Sequence, residues 1–256
     1  MLRSLASAFL MYSRIPMPKV EWKEENRRYA LCSFPLIGAV IGALFCLWYK
    51  VCGILQLNAV MKGAVAVFIS IAVTGGIHLD GFCDVSDARA SWGDKEKKLT
   101  IMKDSHIGAF AAIKLCVYLI MQTAVFSQIC NAKTAVLCGL CFVLSRTLSG
   151  LAAVTFKAAK SDGTLQSFVK PSHKRITVTV LMILAVTVCI AMAVISPLCG
   201  VSGVIAAFLV FLYYRHMAYK EFGGTTGDIA GWFLQLEELI VPLTIVIAER
   251  IWEVCL

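Results

Sequence analysis

The chain has 256 residues, of which 59% are hydrophobic and only 16% charged, and it carries a formal net charge of +8. With a mean hydropathy of +0.79, this composition excludes an ordinary soluble domain. The basic residues lie in loops between apolar runs, which reads as the positive-inside pattern of a membrane protein with no nucleic-acid partner.

The first 29 residues read as a cytoplasmic arm. Its apolar patch, Leu5–Met11, is followed by Arg14, Pro16 and Pro18 without a small-residue cleavage site, so no cleavable signal peptide is expected. Ser13-Arg14-Ile15-Pro16-Met17-Pro18 is rigid and extended. It offers Arg14 to a substrate anion or, equally, to a lipid headgroup.

Apolar runs then recur at 30–49, 59–77, 107–128, 134–155, 176–196, 201–219 and 230–249. Each approaches the roughly 20 residues that cross a hydrocarbon core. Helices are the expected form, because unpaired backbone is not tolerated in lipid and strand alternation is absent. With the N-terminus inside, the inner segments collect eighteen Lys and Arg and the outer segments four, which fixes the orientation. The expected fold is an all-α polytopic membrane protein, a single bundle of six to seven spans forming one domain over 1–256. The last span is interrupted by Glu237 and Glu238 and also fits a re-entrant or interfacial helix. Most of the 11 cysteines fall inside the spans, where Cys acts as a small apolar residue. Cys138-xx-Cys141 is mid-span with no second pair, so no zinc or redox site is expected.

Between the second and third runs lies the most informative stretch, a cytoplasmic acidic segment over 78–106. In His78-Leu-Asp80-Gly-Phe-Cys-Asp84-Val-Ser-Asp87 the acids are spaced four and then three apart. A helix places all three within about 60° of one face. Two such charges roughly 6 Å apart repel by about 3 kcal/mol at an effective dielectric near 20. Protonation, a basic neighbour or a divalent cation relieves that, and oxygen-only ligands favour a hard ion such as Mg²⁺. The plainer reading is a solvated acidic loop. Lys95–Lys98 reads as a solvated turn. Lys103 and Asp104 stand at the mouth of the next span, where Asp104 can join the metal shell and Lys103 can hold a phosphate, or the two can form an ordinary interfacial pair.

Arg146 lies near the centre of its span, where insertion costs about 2.5–3.5 kcal/mol. It therefore needs a polar cavity or a partner, and a phosphate contact and a structural ion pair both satisfy that. Lys114 lies near its span's inner end and snorkels. Gly223-Gly-Thr-Thr226-Gly227-Asp228 precedes the last run. Its glycines and the following helix start suit phosphate, with Asp228 as a substrate contact or simply an N-cap.

Taken together, the segments Ser13–Pro18, Gly75-Gly-Ile-His78-Leu-Asp80-Gly-Phe-Cys-Asp84-Val-Ser-Asp87-Ala, Ile101-Met-Lys103-Asp104-Ser-His-Ile-Gly108 and Gly223–Asp228 resemble the cobalamin synthase family, the adenosylcobinamide-GDP ribazoletransferases. The resemblance spans residues 13 to 228, and its central acidic motif is highly specific. It implies a bacterial inner-membrane enzyme using Mg²⁺, in which α-ribazole or its 5′-phosphate displaces GMP from adenosylcobinamide-GDP. On that reading Asp80, Asp84, Asp87 and Asp104 are the catalytic and metal-holding acids, Asp80 or Asp104 takes the hydroxyl proton, and Arg14, Lys103, Arg146 and Asp228 contact substrate. A more distant similarity is to the CDP-alcohol phosphotransferases. Asp84-Val-Ser-Asp87-Ala88 matches their opening with Ala for Gly, and Asp104 falls near their third acid. Ala90-Ser91-Trp92 stands where their Ala-Arg pair belongs, and position 108, their fourth acid, is Gly. Two rival functions follow, a phospholipid synthase of that type and a cation transporter built on intramembrane carboxylates.

Overall fold

The computed structural model describes residues 2–104 and 106–255. Twelve α-helices follow one another: α1 (Leu2–Tyr12), α2 (Glu24–Arg27), α3 (Ala30–Leu55), α4 (Ala59–Thr74), α5 (Ile77–Ala90), α6 (Lys95–Ile101), α7 (Ala109–Ser127), α8 (Ala132–Thr155), α9 (Thr164–Val169), α10 (Lys174–Ile195), α11 (Pro197–Met217) and α12 (Gly227–Cys255). A π-helical turn, Ala218–Phe222, extends α11. Among the described residues the sole β pairing is an isolated bridge between Ala158 and Thr225. Six helices, α3, α7, α8, α10, α11 and α12, are long and apolar enough to cross a membrane, and the bent pair α4–α5 makes a seventh if counted as one span. The chain is an all-α polytopic membrane protein.

Helix α8 is the central post, packed against α3, α10 and α12. It meets α3 through small residues: a Cβ added at Gly42 would lie 2.4 Å from the Gly139 carbonyl oxygen. Such backbone-to-backbone approach is how helices associate where lipid removes the hydrophobic drive. Phe45, Phe126 and Phe142 fill the space beside that seam. Helices α10 and α11 turn Ile183, Ile190, Val194, Ile205 and Phe208 outward, which is the expected face toward acyl chains.

The two ends of the bundle differ. At one end the α7–α8 loop is tied to its neighbours: the Ile129 carbonyl accepts from Tyr49 Oη at 2.8 Å and Lys62 Nζ at 2.5 Å, and Glu249 of α12 accepts from Asn131 and Thr134. The other end gathers the start of α3, the end of α8, the start of α12, and the helices α1, α5 and α9.

Three expectations change. The arm contains two helices, α1, whose Ala6, Ala8 and Phe9 are buried, and the short α2; Ser13–Pro18 between them is non-helical as expected, with Ser13 Oγ donating to the Phe9 carbonyl at 2.8 Å. Lys95–Lys98 opens the helix α6, capped by Asp94 Oδ1 accepting from the Lys97 amide at 2.9 Å. Most importantly, α12 is one continuous helix of 29 residues rather than a re-entrant or interfacial one. Glu237 and Glu238 do not interrupt it because both face inward, each 1% exposed.

Candidate active site

The acidic row sits on α5, and a corner aims it. Gly75 and Gly76 both adopt left-handed backbone, with φ of 67° and 79°, where side chains are strained and glycine is not. The chain turns by 97° between α4 and α5. Helix α5 then lies against α12 and α7, burying His78, Phe82, Val85 and Ser86 and leaving Asp80 exposed with Asp84 and Asp87 half-buried. The sequence spacing thus yields a helix, not a loop. Close approach fixes its register: a Cβ at Gly81 would lie 2.7 Å from the Asp228 carbonyl oxygen. The start of α12 and the acids of α5 are therefore neighbours.

Three hollows surround this crossing. Asp84, Asp87 and Asp104 line one shallow pocket with His106 and Gly108. Asp80 and Arg14 line a second, beside the Gly75–Gly76 corner; Arg14 is anchored there by its amide donating to the Val73 carbonyl at 2.7 Å. A third, a partly open cavity of about 210 Å³, is lined by both Asp80 and Asp228. Asp228 also faces Lys160 across an adjoining pocket.

The carboxylates have different local partners. Both oxygens of Asp87 accept amides at the start of α7, from Gly108 at 2.6 Å and Ala111 at 2.9 Å, a stabilising place for an anion. Gly108 has no room for a side chain, since a Cβ there would lie 2.6 Å from Asp87 Oδ1; a fourth acid does not fit there with Asp87 so placed. Asp104 accepts from the His106 amide at 3.0 Å and contacts its Nδ1 at 2.7 Å, which holds the Asp104 carboxyl below the usual carboxylate range. The ion pairs among the described residues use Glu21, Asp104, Glu221, Glu238 and Glu253, so Asp80, Asp84, Asp87 and Asp228 are left without a paired cation. Asp84 lies within electrostatic reach of Asp80, Asp228 and Asp87. The site is a concentration of negative charge.

Among the described residues no three His, Cys, Asp or Glu side chains converge on a single metal-binding point. An all-protein cage is not what Mg²⁺ requires, however; it is usually held by one or two carboxylates, waters and substrate phosphates. The donor set on α5 fits that arrangement, being all oxygen and unpaired.

Other expected site residues fall elsewhere. Arg146 is 0% exposed and donates to Glu238, to Ser145 Oγ at 3.0 Å and to the Phe142 carbonyl at 3.1 Å. The phosphate contact expected of it is replaced by an ion pair inside the bundle, with the guanidinium also over the Phe142 ring. Lys103 is exposed and lines none of the three hollows, although Ile101 and Asp104 on either side of it line the first. Asp228 is not the N-cap of α12: Thr226 Oγ1 accepts the Ile229 amide at 3.3 Å, and the Thr226 carbonyl accepts from Ala230. Thr226 caps the helix, and the Asp228 carboxylate lines the cavity within hydrogen-bonding reach of the Thr226 side chain. Lys114 reaches the Ser86 carbonyl at 3.2 Å, tying α7 to α5.

Two residues that matter here were assigned no role from the sequence. His78 lines the cavity with both ring nitrogens unpartnered. Glu221 pairs with Arg89 at 3.1 Å and Lys98 at 2.9 Å, clamping α5 and α6 to the turn before α12. The basic residues were visible, but their shared partner lies more than a hundred positions away.

The family model described as cobalamin-5-phosphate synthase matches residues 4–246. A protein of Lachnoclostridium phytofermentans called adenosylcobinamide-GDP ribazoletransferase is 45% identical over 98% of this chain and 95% of its own length. Proteins of the same name from Clostridium botulinum and Shewanella piezotolerans are 32% and 30% identical, covering 93% and 94% of this chain and 94% and 93% of their own lengths. No solved structure matches the chain.

Proposed function

The chain belongs to the cobalamin-5-phosphate synthase family, and from that membership we propose that it joins adenosylcobinamide-GDP to α-ribazole, or to its 5′-phosphate, with release of GMP. The observation that carries the reading to particular residues is the unpaired carboxylate row of α5, set against the start of α12 and open to three hollows. Asp80 lines both the cavity beside Asp228 and the Arg14 hollow, which supports it as the acceptor of the attacking ribose hydroxyl's proton. Arg14 supplies positive charge beside the diphosphate. Asp84 and Asp87, with Asp104 from the loop before α7, form the metal-holding side; a bound Mg²⁺ would neutralise charge on the diphosphate oxygens. Asp87, fixed by the α7 amides, orients this side. The hydroxyl oxygen bonds to the corrinoid-side phosphorus, the bond from that phosphorus to the bridging oxygen breaks, and the bridging oxygen leaves with GMP.

The two other phosphotransfer and transport readings fare worse. The residues at 91, 92 and 108 depart from the CDP-alcohol pattern, and Gly108 is held side-chain-free by Asp87. The two mid-bundle acids, Glu237 and Glu238, lie on the continuous helix α12, the second of them paired to Arg146, and the acids of the bent α4–α5 pair gather at one end of the bundle, whereas a transporter is expected to hold its coupling site near the midplane. The excess of Lys and Arg in segments at the α5 end supports placing that end in the cytoplasm, in the inner membrane of a bacterium.

The test is to incubate the purified protein with adenosylcobinamide-GDP, α-ribazole and Mg²⁺ and analyse products by mass. GMP together with the completed corrinoid is expected. GMP without a joined corrinoid, or neither product, would refute the reading.

A further inference from the structure

The cavity beside Asp80 and Asp228 is lined more by apolar groups than the two other hollows are. Tyr12 and Phe34 form one wall, their ring centroids 4.6 Å apart, and the Phe34 ring meets the His78 imidazole edge-on at 6.0 Å. Ala153 and Leu234 add apolar surface. Beside the carboxylates of Asp80 and Asp228 at its rim, His78 lines the same space: it is 4% exposed and has no hydrogen-bond partner on either ring nitrogen. A buried polar group without a partner is rare and needs a reason. Its volume, about 210 Å³, falls below the ~300–1,000 Å³ of pockets that enclose drug-sized ligands. That volume is too small for a corrin ring and commensurate with a two-ring heterocycle.

We propose that this cavity binds the flat base of the nucleoside acceptor, with the Tyr12 and Phe34 rings against its apolar body and His78 donating an N–H to its free ring nitrogen. The inference rests on the acceptor being an α-ribazole, as read above. The base of that nucleoside, a dimethylbenzimidazole, is apolar along its methylated edge and has one ring nitrogen able to accept a hydrogen bond. With the base seated here, the attached ribose emerges between Asp80 and Asp228, the two carboxylates that line the cavity and also face its neighbours. The acceptor hydroxyl is thereby delivered to Asp80, while the GDP-corrinoid occupies the other hollows. The cavity selects the acceptor.

Two variants of the full-length purified protein test this. Ala153→Leu adds bulk to the cavity wall, and His78→Leu removes the donor at similar size. In Ala153→Leu the KM for α-ribazole rises about 10- to 200-fold, the range that one misplaced hydrophobic group causes in a fitted pocket, and the KM for adenosylcobinamide-GDP stays unchanged, which also shows that the variant is folded. The milder Ala153→Val moves the same way by less. An imidazole riboside, lacking the second ring, is used equally well by wild type and Ala153→Leu. In His78→Leu the KM for α-ribazole rises, whereas that for the indole analogue, with C–H in place of the ring nitrogen, does not. An unchanged KM for α-ribazole in Ala153→Leu overturns the proposal. So does a rise confined to adenosylcobinamide-GDP, which would give the cavity to guanine. Equilibrium binding of α-ribazole alone separates this inference from the reaction itself. Binding that wild type shows and Ala153→Leu loses, without GMP release by either, keeps the pocket and refutes the reaction. Absence of α-ribazole binding by wild type overturns the pocket.

Discussion

At the scale of single residues, Arg146 shows how a charge inside a bilayer is accommodated. Its guanidinium and the Glu238 carboxylate are both buried, so removing one leaves the other uncompensated. Arg146→Met is expected to cost about 3–5 kcal/mol, and a simultaneous Glu238→Leu to restore most of it, because a buried pair replaced by apolar groups is often neutral or stabilising. Thermal unfolding of the purified variants in detergent checks this; a silent Arg146→Met contradicts the pairing. The insertion cost of Arg146 was legible in the sequence and required a partner, but that partner lies 92 residues further along. A pairing made only by helix packing leaves no local trace. Asp87 was equally half-visible: its place in the acidic row follows from spacing, but its bonds to the amides of Gly108 and Ala111 depend on where α7 begins.

At the scale of elements, the site depends on how α5, α7 and α12 are held. Gly108→Ala would drive a Cβ into the Asp87 carboxylate, displacing either that side chain or the start of α7. Turnover is expected to fall about 10²-fold, the effect of an ångström-scale misplacement, with the protein still folded. Thr226→Ala removes the cap of α12 and is expected to cost about 1 kcal/mol of stability. Unfolding measurements distinguish it from Asp228→Ala, which spares the cap. The apolar runs made the membrane helices readable, and α3, α7, α8, α10 and α11 overlap the expected spans closely. Short elements were less readable: α1, α6 and α9 are 11, 7 and 6 residues long, so their helicity rests on packing and caps more than on a repeating pattern. Helix α12 was obscured by Glu237 and Glu238, whose inward direction follows from the neighbouring helices and not from hydropathy.

At the scale of the whole molecule, the polar segments named from sequence gather at one end of the bundle. The Arg14 arm, α5, the segment before α7, the 157–175 region and the 221–228 turn all meet around the three hollows. The end of α12 lies at the opposite pole with the α7–α8 loop. If the α5 end is cytoplasmic, alkaline phosphatase fused after Cys255 is active and a fusion within 157–175 is not. The reverse pattern would invert the topology. Alternation of the apolar runs made this arrangement readable in outline, whereas the cavity beside Asp228 was not, because its walls come from six helices scattered along the chain.

The most direct test of the central claim, that the unpaired carboxylates of α5 perform the joining reaction, is GMP release by purified Asp84→Asn supplied with adenosylcobinamide-GDP, α-ribazole and Mg²⁺. A fall of at least about 10²-fold from wild type, the scale of losing a group that stabilises transition-state charge, with unaltered thermal unfolding, is the predicted result. Wild-type turnover in that variant would contradict it.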